Sequence, residues 1–386
     1  MAARFDDGRL ARIAARMEAR VASGAYAGIA WRIGTVGGIV HEGRVGAARE
    51  DALWRIYSMT KPLVSVAAMQ LAEECRAPLH ARIRRWLPEF AAPVVLEPSG
   101  ARVPAREPIV VLHLLAHMAG LSYGLQSDAA GRLYAEAGVL ADDAEPLREV
   151  VRRIGALPLA NHPGERWRYS VATDVLAALL EEEEGRGIAD ILRARLLEPL
   201  GMTETAFTVP EAERGRIVEV RGTRLPPDFP AVPPLGIDAI HPADLDGFAR
   251  GGHGLFCTLA DYSRFAEALL RVAQGAADGP VAPRTPAAMT TNQLSESQLP
   301  MVTSLPFDSE SPGFGGFGFG LGFSTDLGAR GRRRLGSPGC FGWAGAADTW
   351  FTVDPAGGVY AVFMSQSTDR PGASYDFQSL LHAAVA

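Results

Sequence analysis

Ile56-Tyr57-Ser58-Met59-Thr60-Lys61-Pro62 decides how the rest of the chain is read. Pro62 suits a first helical turn, where its missing N–H costs nothing. From Leu63 to Ala72 every residue except Ser65 and Gln70 is apolar, so the helix beginning here is expected to be buried nearly all round. Ser58 and Lys61 stand one turn apart, which puts both side chains on the same face. A serine hydroxyl is a weak nucleophile until a base takes its proton. A lysine serves as that base only where burial and neighbours favour the neutral amine. The helix N-terminus helps, because its free N–H groups stabilise negative charge. The plain alternative is that Ser58 caps the helix and Lys61 snorkels to solvent. S-x-x-K is short, so a catalytic reading needs partners elsewhere.

The remaining composition narrows the choices. At 386 residues the chain can bury a large core, as one large domain or two interleaved ones. A net charge of −6 with 21% charged residues suits an ordinary soluble globular protein and leaves no nucleic-acid footprint. The one basic run, Arg330 with Arg332 to Arg334, reads as a solvated hairpin tip. Cys75, Cys257 and Cys340 leave at least one thiol unpaired and have no metal-ligand spacing to histidines. Buried thiols in a reducing compartment fit better than a disulfide framework. The N-terminus has no signal-peptide pattern, and no stretch approaches the roughly 18 apolar residues of a membrane helix. The expectations are a cytoplasmic location, no membrane partner and no cofactor.

Asp6 and Asp7 precede an amphipathic pattern at Leu10, Ile13, Ala14, Met17 and Val21 that stops at Gly24. Ile29, Trp31 and Ile33 alternate as a strand, Gly34 to Gly38 turns, and Ile39 to Val45 returns. Leu87 to Pro108 reads as irregular connection, and Val110 to His117 as a short helix. Gly120-Leu121-Ser122-Tyr123-Gly124 matches the nucleophile elbow G-x-S-x-G. That elbow needs a strand before it and a helix after it. Here helix-like residues precede and Gln126-Ser127-Asp128 continues as loop, so Gly120 reads instead as a helix C-cap. Leu147, Val150, Val151 and Ile154 mark another helix. His162 to Ser170 is a turn into a helix with Val171, Val175 and Leu179 on one face, which places Tyr169 just before its N-terminus. Residues 208 to 250, rich in Pro and Gly, read as a long pocket-rim loop. Thr258 to Asp261 is a capping box. Phe317 to Phe323 reads as one crowded, glycine-rich strand. Trp350 to Val353 and Val359 to Met364 flank a turn, and Tyr375 to Ala384 forms a closing helix.

Strands at both ends with helices between imply an α/β (α+β type) fold: one antiparallel sheet from the two termini, flanked by helices, with a helical insertion. The expected division is 1–75 with 310–386 as a discontinuous sheet domain, and 76–309 as a mainly helical subdomain.

Three landmarks taken together resemble the serine β-lactamase and penicillin-binding-protein superfamily. They are Ser58-Met59-Thr60-Lys61, Tyr169-Ser170-Val171 and Trp343-Ala344-Gly345. The nearest branch looks like the class C-like carboxylesterases, also called family VIII esterases. Supporting stretches are His113 to His117 with Gly120-Leu121, Pro163-Gly164-Glu165, and Gly251-Gly252-His253-Gly254, so the resemblance runs over nearly the whole chain. It implies a β-lactamase/transpeptidase-like fold. It also implies Ser58 as acylated nucleophile, Lys61 and Tyr169 sharing the general-base and general-acid work, and an oxyanion hole from the backbone N–H groups of Ser58 and Ala346.

Two departures bear on specificity. Val171 stands where Y-x-N has asparagine, and Trp343 where K-T-G has lysine. The substrate-binding candidates are therefore Trp343, Ala344, Gly345 and Val171, with an aromatic wall in place of polar anchors; Trp343 is equally readable as a core aromatic. The leading expectation is a serine hydrolase cleaving small acyl esters through an acyl-enzyme, a carboxylesterase whose partner is a small-molecule ester. The alternatives are a weak β-lactamase or D-Ala-D-Ala peptidase, an acyltransferase using the same Ser-Lys-Tyr site, or a non-catalytic binding protein on the scaffold. His113 and His117 read as structural, His253 as a turn or pocket-wall residue, and Cys340 as an ordinary thiol.

Overall fold

The Asp6 carboxylate accepts the Arg9 N–H and so caps α1 (Asp7–Ala22), which turns Leu10, Ile13 and Met17 inward. The computed structural model describes residues 4–141, 144–222, 242–245, 247–299, 301, 316–328, 335–369 and 372–385. After α1 come β1 (Gly28–Thr35), β2 (Gly38–Gly46), the two-residue β3 (Trp54–Arg55) and a 3-10 turn at Tyr57–Met59. That turn leads into α2 (Thr60–Glu73), buried without a break from Thr60 to Met69. Next are β4 (Val94–Leu96), β5 (Arg102–Pro104), α3 (Val111–Leu115), α4 (Ala129–Glu136), α5 (Leu147–Gly155), α6 (Ala172–Glu184) and α7 (Ile188–Leu192). The chain continues through β6 (Phe256–Cys257), α8 (Leu259–Ala273) and α9 (Thr285–Thr290). It closes with β7 (Phe317–Phe319), β8 (Ser324–Asp326), β9 (Phe341–Ala344), β10 (Trp350–Asp354), β11 (Val359–Ser365) and α10 (Ala373–Ala384).

Seven strands form one antiparallel sheet in the order β2-β1-β11-β10-β9-β8-β7. The two halves of the chain meet where β1 pairs with β11, Ile29 opposite Ser365 and Ile33 opposite Ala361. Alternation along these strands serves two cores. Ile29, Trp31, Ile33, Ala361 and Phe363 pack with Leu10, Ile13 and Met17 of α1 and Phe377 and Leu381 of α10. Ala30, Val362 and Met364 point the other way, into a larger core with α2, α6 and α8. The sheet is thus helix-covered on both faces, and α2 carries Ser58 at its threshold. No helix among the described residues is long and apolar enough to cross a membrane.

Several local expectations need correcting. The proline-rich stretch expected to be irregular contains the β4–β5 hairpin, Val94 opposite Pro104. Three-residue strands are too short to show a period. The single strand expected over Phe317 to Phe323 is only β7, Phe317–Phe319, and the chain then turns through 320–323 into β8. Gly120 is not a helix cap: α3 ends at Leu115 with Ala116 as its C-cap, and the left-handed residue nearest that end is His117 (φ 52°). Arg330 and Arg332 to Arg334, and part of the 208–250 loop, lie outside the described residues.

Candidate active site

The backbone turns sharply just before the serine. Tyr57 has φ 43°, a left-handed conformation that a bulky residue adopts only under constraint. The constraints are visible: Ile56 N donates to the Leu255 carbonyl at 3.0 Å, and the Tyr262 hydroxyl donates to the Met59 carbonyl at 2.9 Å. Ser58 is left half-buried, while its neighbours Tyr57 and Met59 are buried.

Three polar side chains converge there. Tyr169 Oη donates to Ser58 Oγ at 2.7 Å, and Lys61 Nζ reaches the same oxygen at 3.2 Å. Tyr169 and Lys61, drawn from positions 108 residues apart, are 6% and 2% exposed, so both contacts sit largely out of water. Lys61 Nζ also donates to the Tyr123 hydroxyl at 3.0 Å and to the Gly252 carbonyl at 2.8 Å. Three oxygens thus lie within hydrogen-bond reach of this one nitrogen. The nitrogen lies 4.8 Å from the centroid of the Tyr169 ring and 5.3 Å from that of Tyr123. The two phenols stack at 5.3 Å.

Tyr123 and Gly252 were not singled out for this site by sequence. Tyr123 belongs to the decoy G-x-S-x-G, whose serine is wholly buried and holds the Arg168 guanidinium through Nη2 at 2.7 Å and Nε at 3.2 Å. Burial, then the neighbouring Tyr169 and Asp174, push the Tyr123 phenol well above its ordinary range, so it stays neutral. One sequence signal was available. Lys61 is the only lysine among the 38 lysines and arginines of the chain. Every other cation is an arginine, which stays charged and cannot exchange a proton.

The third motif arrives on β9. A Cβ on Gly345 would lie 2.5 Å from the Ile56 carbonyl oxygen and 2.2 Å from Thr349 Oγ1, so only glycine lets this turn close on the serine's own turn. Ala346 follows, half-buried, and among the described residues its N–H has no acceptor. Trp343 is 6% exposed, set edge-on to Phe319 at 5.2 Å and tilted 5.5 Å from Tyr169. Ala344 points to the opposite face, toward the core under α1 and α10, so it offers substrate only its backbone. Val171 is the N-cap of α6 and wholly buried. Its side chain lines no open surface.

His113 accepts the Val110 N–H through Nδ1 at the start of α3. His117 is 2% exposed, its Nδ1 3.4 Å from Ser170 Oγ and its ring 4.9 Å from that of Tyr169. Burial, and next the charge of Lys61, push the His117 imidazole well below 6.5, so it is neutral in the fold. The unfolded chain binds a proton on this residue below about 6.5 and the folded chain does not, so stability falls as pH drops through that value and is whole above it. His41 and His113 are shifted down by burial in the same sense. His117→Asn, which tolerates the left-handed backbone, is therefore expected to show a smaller loss of Tm between about pH 7.5 and 5.5 than the wild type. An equal loss in differential scanning fluorimetry would remove His117 from the acid response. His253 packs against Phe248 at 5.7 Å. Burial pushes the Cys340 thiol up, as expected of an inert cysteine. Among the described residues no group of three metal-ligating side chains forms.

A serine gripped by a buried lysine and a buried tyrosine, beside an antiparallel sheet that folds a strand turn against it, defines a serine hydrolase of the acyl-transferring class. More particularly, the chain belongs to the Beta-lactamase family, whose model matches residues 13–385. It is 32% identical over 333 residues to Protein Rv1367c of Mycobacterium tuberculosis, covering 82% of this chain and 78% of that one. It is 39% identical over 172 residues to Esterase EstB of Burkholderia gladioli, covering 43% of this chain and 41% of that one. The fold matches that of EstCE1, described as a hydrolase with promiscuous acyltransferase activity. The TM-score is 0.77 at 22% identity, covering 97% of this chain and 99% of that one.

Proposed function

We propose that the protein is a carboxylesterase that cleaves small, uncharged acyl esters through an acyl-enzyme on Ser58. The observation that carries this reading is the convergence of Tyr169 Oη and Lys61 Nζ on Ser58 Oγ at 2.7 and 3.2 Å. Lys61 Nζ is within hydrogen-bond reach of three oxygens, an arrangement suited to an ammonium donating three N–H bonds, and this reading assigns it that form. Tyr169 is then the proton acceptor. In its phenolate form it takes the Ser58 proton along the same 2.7 Å contact, and the ammonium 4.8 Å from its ring stabilises that negative charge. Ser58 Oγ bonds to the acyl carbon, the ester C–O bond breaks, and Tyr169 returns the proton to the leaving alkoxide. Water repeats the sequence to release the acid. The N–H groups of Ser58 and Ala346 are the donors for the oxyanion, in most acyl transfers the largest single rate term.

The name of EstB supports ester hydrolysis, and that of EstCE1 supports acyl transfer to an alcohol or amine as a second outcome of the same acyl-enzyme. Three free cysteines fit a cytoplasmic setting, although only Cys257 and Cys340 are the buried thiols expected and Cys75, just past the end of α2, is exposed.

Specificity follows from the third motif. Trp343, against Phe319 and Tyr169, supplies an apolar wall where a cation would be needed to hold a carboxylate. Apolar burial is worth roughly 25 cal/mol per Å², whereas a site without polar anchors gains nothing from a charged lactam. The kcat/KM for p-nitrophenyl acetate or butyrate is therefore expected to exceed that for nitrocefin or benzylpenicillin by about 10²-fold or more. One plate of initial rates decides it. A lactam value equal to the ester value would replace the esterase reading with a β-lactamase or peptidase.

A further inference from the structure

Behind Lys61 stands a carboxylate that the proposed reaction does not use. Asp174 lies in the first turn of α6 and is 4% exposed. Its Oδ1 accepts the Gly252 N–H at 2.9 Å, while the Gly252 carbonyl accepts from Lys61 Nζ at 2.8 Å. A Cβ on Gly252 would lie 2.7 Å from Asp174 Oδ2 and 3.2 Å from the Tyr123 hydroxyl oxygen. The Asp174 carboxylate and the Tyr123 phenol thus crowd a residue whose lack of a side chain leaves them room, and whose carbonyl holds Lys61. Among the described residues Asp174 makes no ion pair with a basic side chain, and Lys61 makes none with a carboxylate.

A buried charge without a counter-ion is costly, and in a low dielectric an opposite charge linked to it through a single hydrogen-bonded peptide group offsets part of that cost. The other groups facing Lys61 do not do this throughout the cycle, since Tyr169 is negative only in its phenolate form. Ser58 and Tyr169 are the reacting pair, the Tyr123 phenol is held neutral, and His117 is buried and neutral. A bland role for Asp174 also exists: an acidic side chain in a first helical turn favours the helix dipole.

We propose that Asp174 is a positioning residue for the Ser58 site, pinning the Gly252 carbonyl onto Lys61 and acting as the counter-charge that keeps Lys61 an ammonium during proton exchange between Ser58 and Tyr169. This rests on the reading of Ser58 as nucleophile, and one arm of the test does not depend on turnover.

Asp174→Asn keeps the volume and an acceptor for the Gly252 N–H but removes the charge. Its ester kcat is expected to fall about 10-fold or more with KM little changed. The alkaline limb of its kcat profile is expected to move to lower pH by about one unit, because the ammonium has lost its counter-charge. Asp174→Glu retains the charge and is expected to keep the wild-type limb while losing kcat through a displaced Gly252. Because Lys61 is the only lysine, protein labelled with ε-13C-lysine gives one side-chain resonance, readable by NMR without substrate. Its pH profile is expected to move in Asp174→Asn in the same direction as the kcat limb. A folded Asp174→Asn with both profiles unmoved would overturn the proposal and leave the helix-dipole role. If Asp174→Asn does not fold, a folded Asp174→Glu with the wild-type limb supports the charge assignment, and failure of both to fold overturns it. If the lysine resonance moves as expected but Ser58→Ala keeps ester turnover, the nucleophile assignment is what has failed.

Discussion

Ser58→Ala is expected to lower ester kcat by roughly 10⁵-fold or more, the scale seen when a serine nucleophile is removed from an otherwise intact site. The reason is geometric. Ser58 Oγ is the atom on which both Tyr169 and Lys61 converge, and no second hydroxyl stands in that position to take over. The fold is expected to survive, since Ser58 is half-buried and its turn is held by backbone contacts at Ile56 and Met59. The informative control is Ser122→Ala. Ser122 sits in the G-x-S-x-G look-alike, but it is wholly buried and serves as an acceptor for Arg168. Its loss is expected to cost about 1–3 kcal/mol of stability and to leave most of kcat. A dead Ser122→Ala beside an active Ser58→Ala would invert the assignment.

The second large effect separates the two proton-handling groups. Lys61→Ala and Tyr169→Phe are each expected to reduce kcat by about 10²-fold or more, with different consequences for stability. Tyr169→Phe preserves the ring that stacks on Tyr123 and lies against Trp343, so its Tm is expected to stay near that of the wild type. Lys61→Ala strips the donor from the Tyr123 hydroxyl and the Gly252 carbonyl, both inside the core. An orphaned buried polar group costs about 1–3 kcal/mol, so this variant is expected to melt lower. Wild-type kcat in either variant, with the fold intact by circular dichroism, would remove that residue from the mechanism.

The parts of this site legible in the sequence were those with a periodic or motif signature. An apolar run from Leu63 fixed α2 and with it the one-turn spacing of Ser58 and Lys61, and the turn before α6 delivered Tyr169 to a helix threshold. The sheet from both termini was readable because β1, β10 and β11 are long enough to alternate. What escaped was set by tertiary contact. Tyr123 reaches Lys61 across 62 residues from inside a misleading motif, and nothing in its neighbours' sequence marks the convergence. Gly120 looked like a helix cap because a helix end was expected beside it, whereas His117 supplies the nearby left-handed residue. Val171 occupies the asparagine position of the motif, but a helix N-cap facing the core is buried whatever its chemistry. The same holds for Ala344, whose place on the strand sends it to the opposite face of the sheet.

An acyl-enzyme on Ser58 can be read out by intact-mass and peptide-mapping mass spectrometry after incubation with a fluorophosphonate. One adduct per chain is expected, on the peptide that contains Ser58, and none on Ser58→Ala. Labelling that survives Ser58→Ala, an adduct mapped to Ser122, or no adduct on the wild-type protein would contradict it.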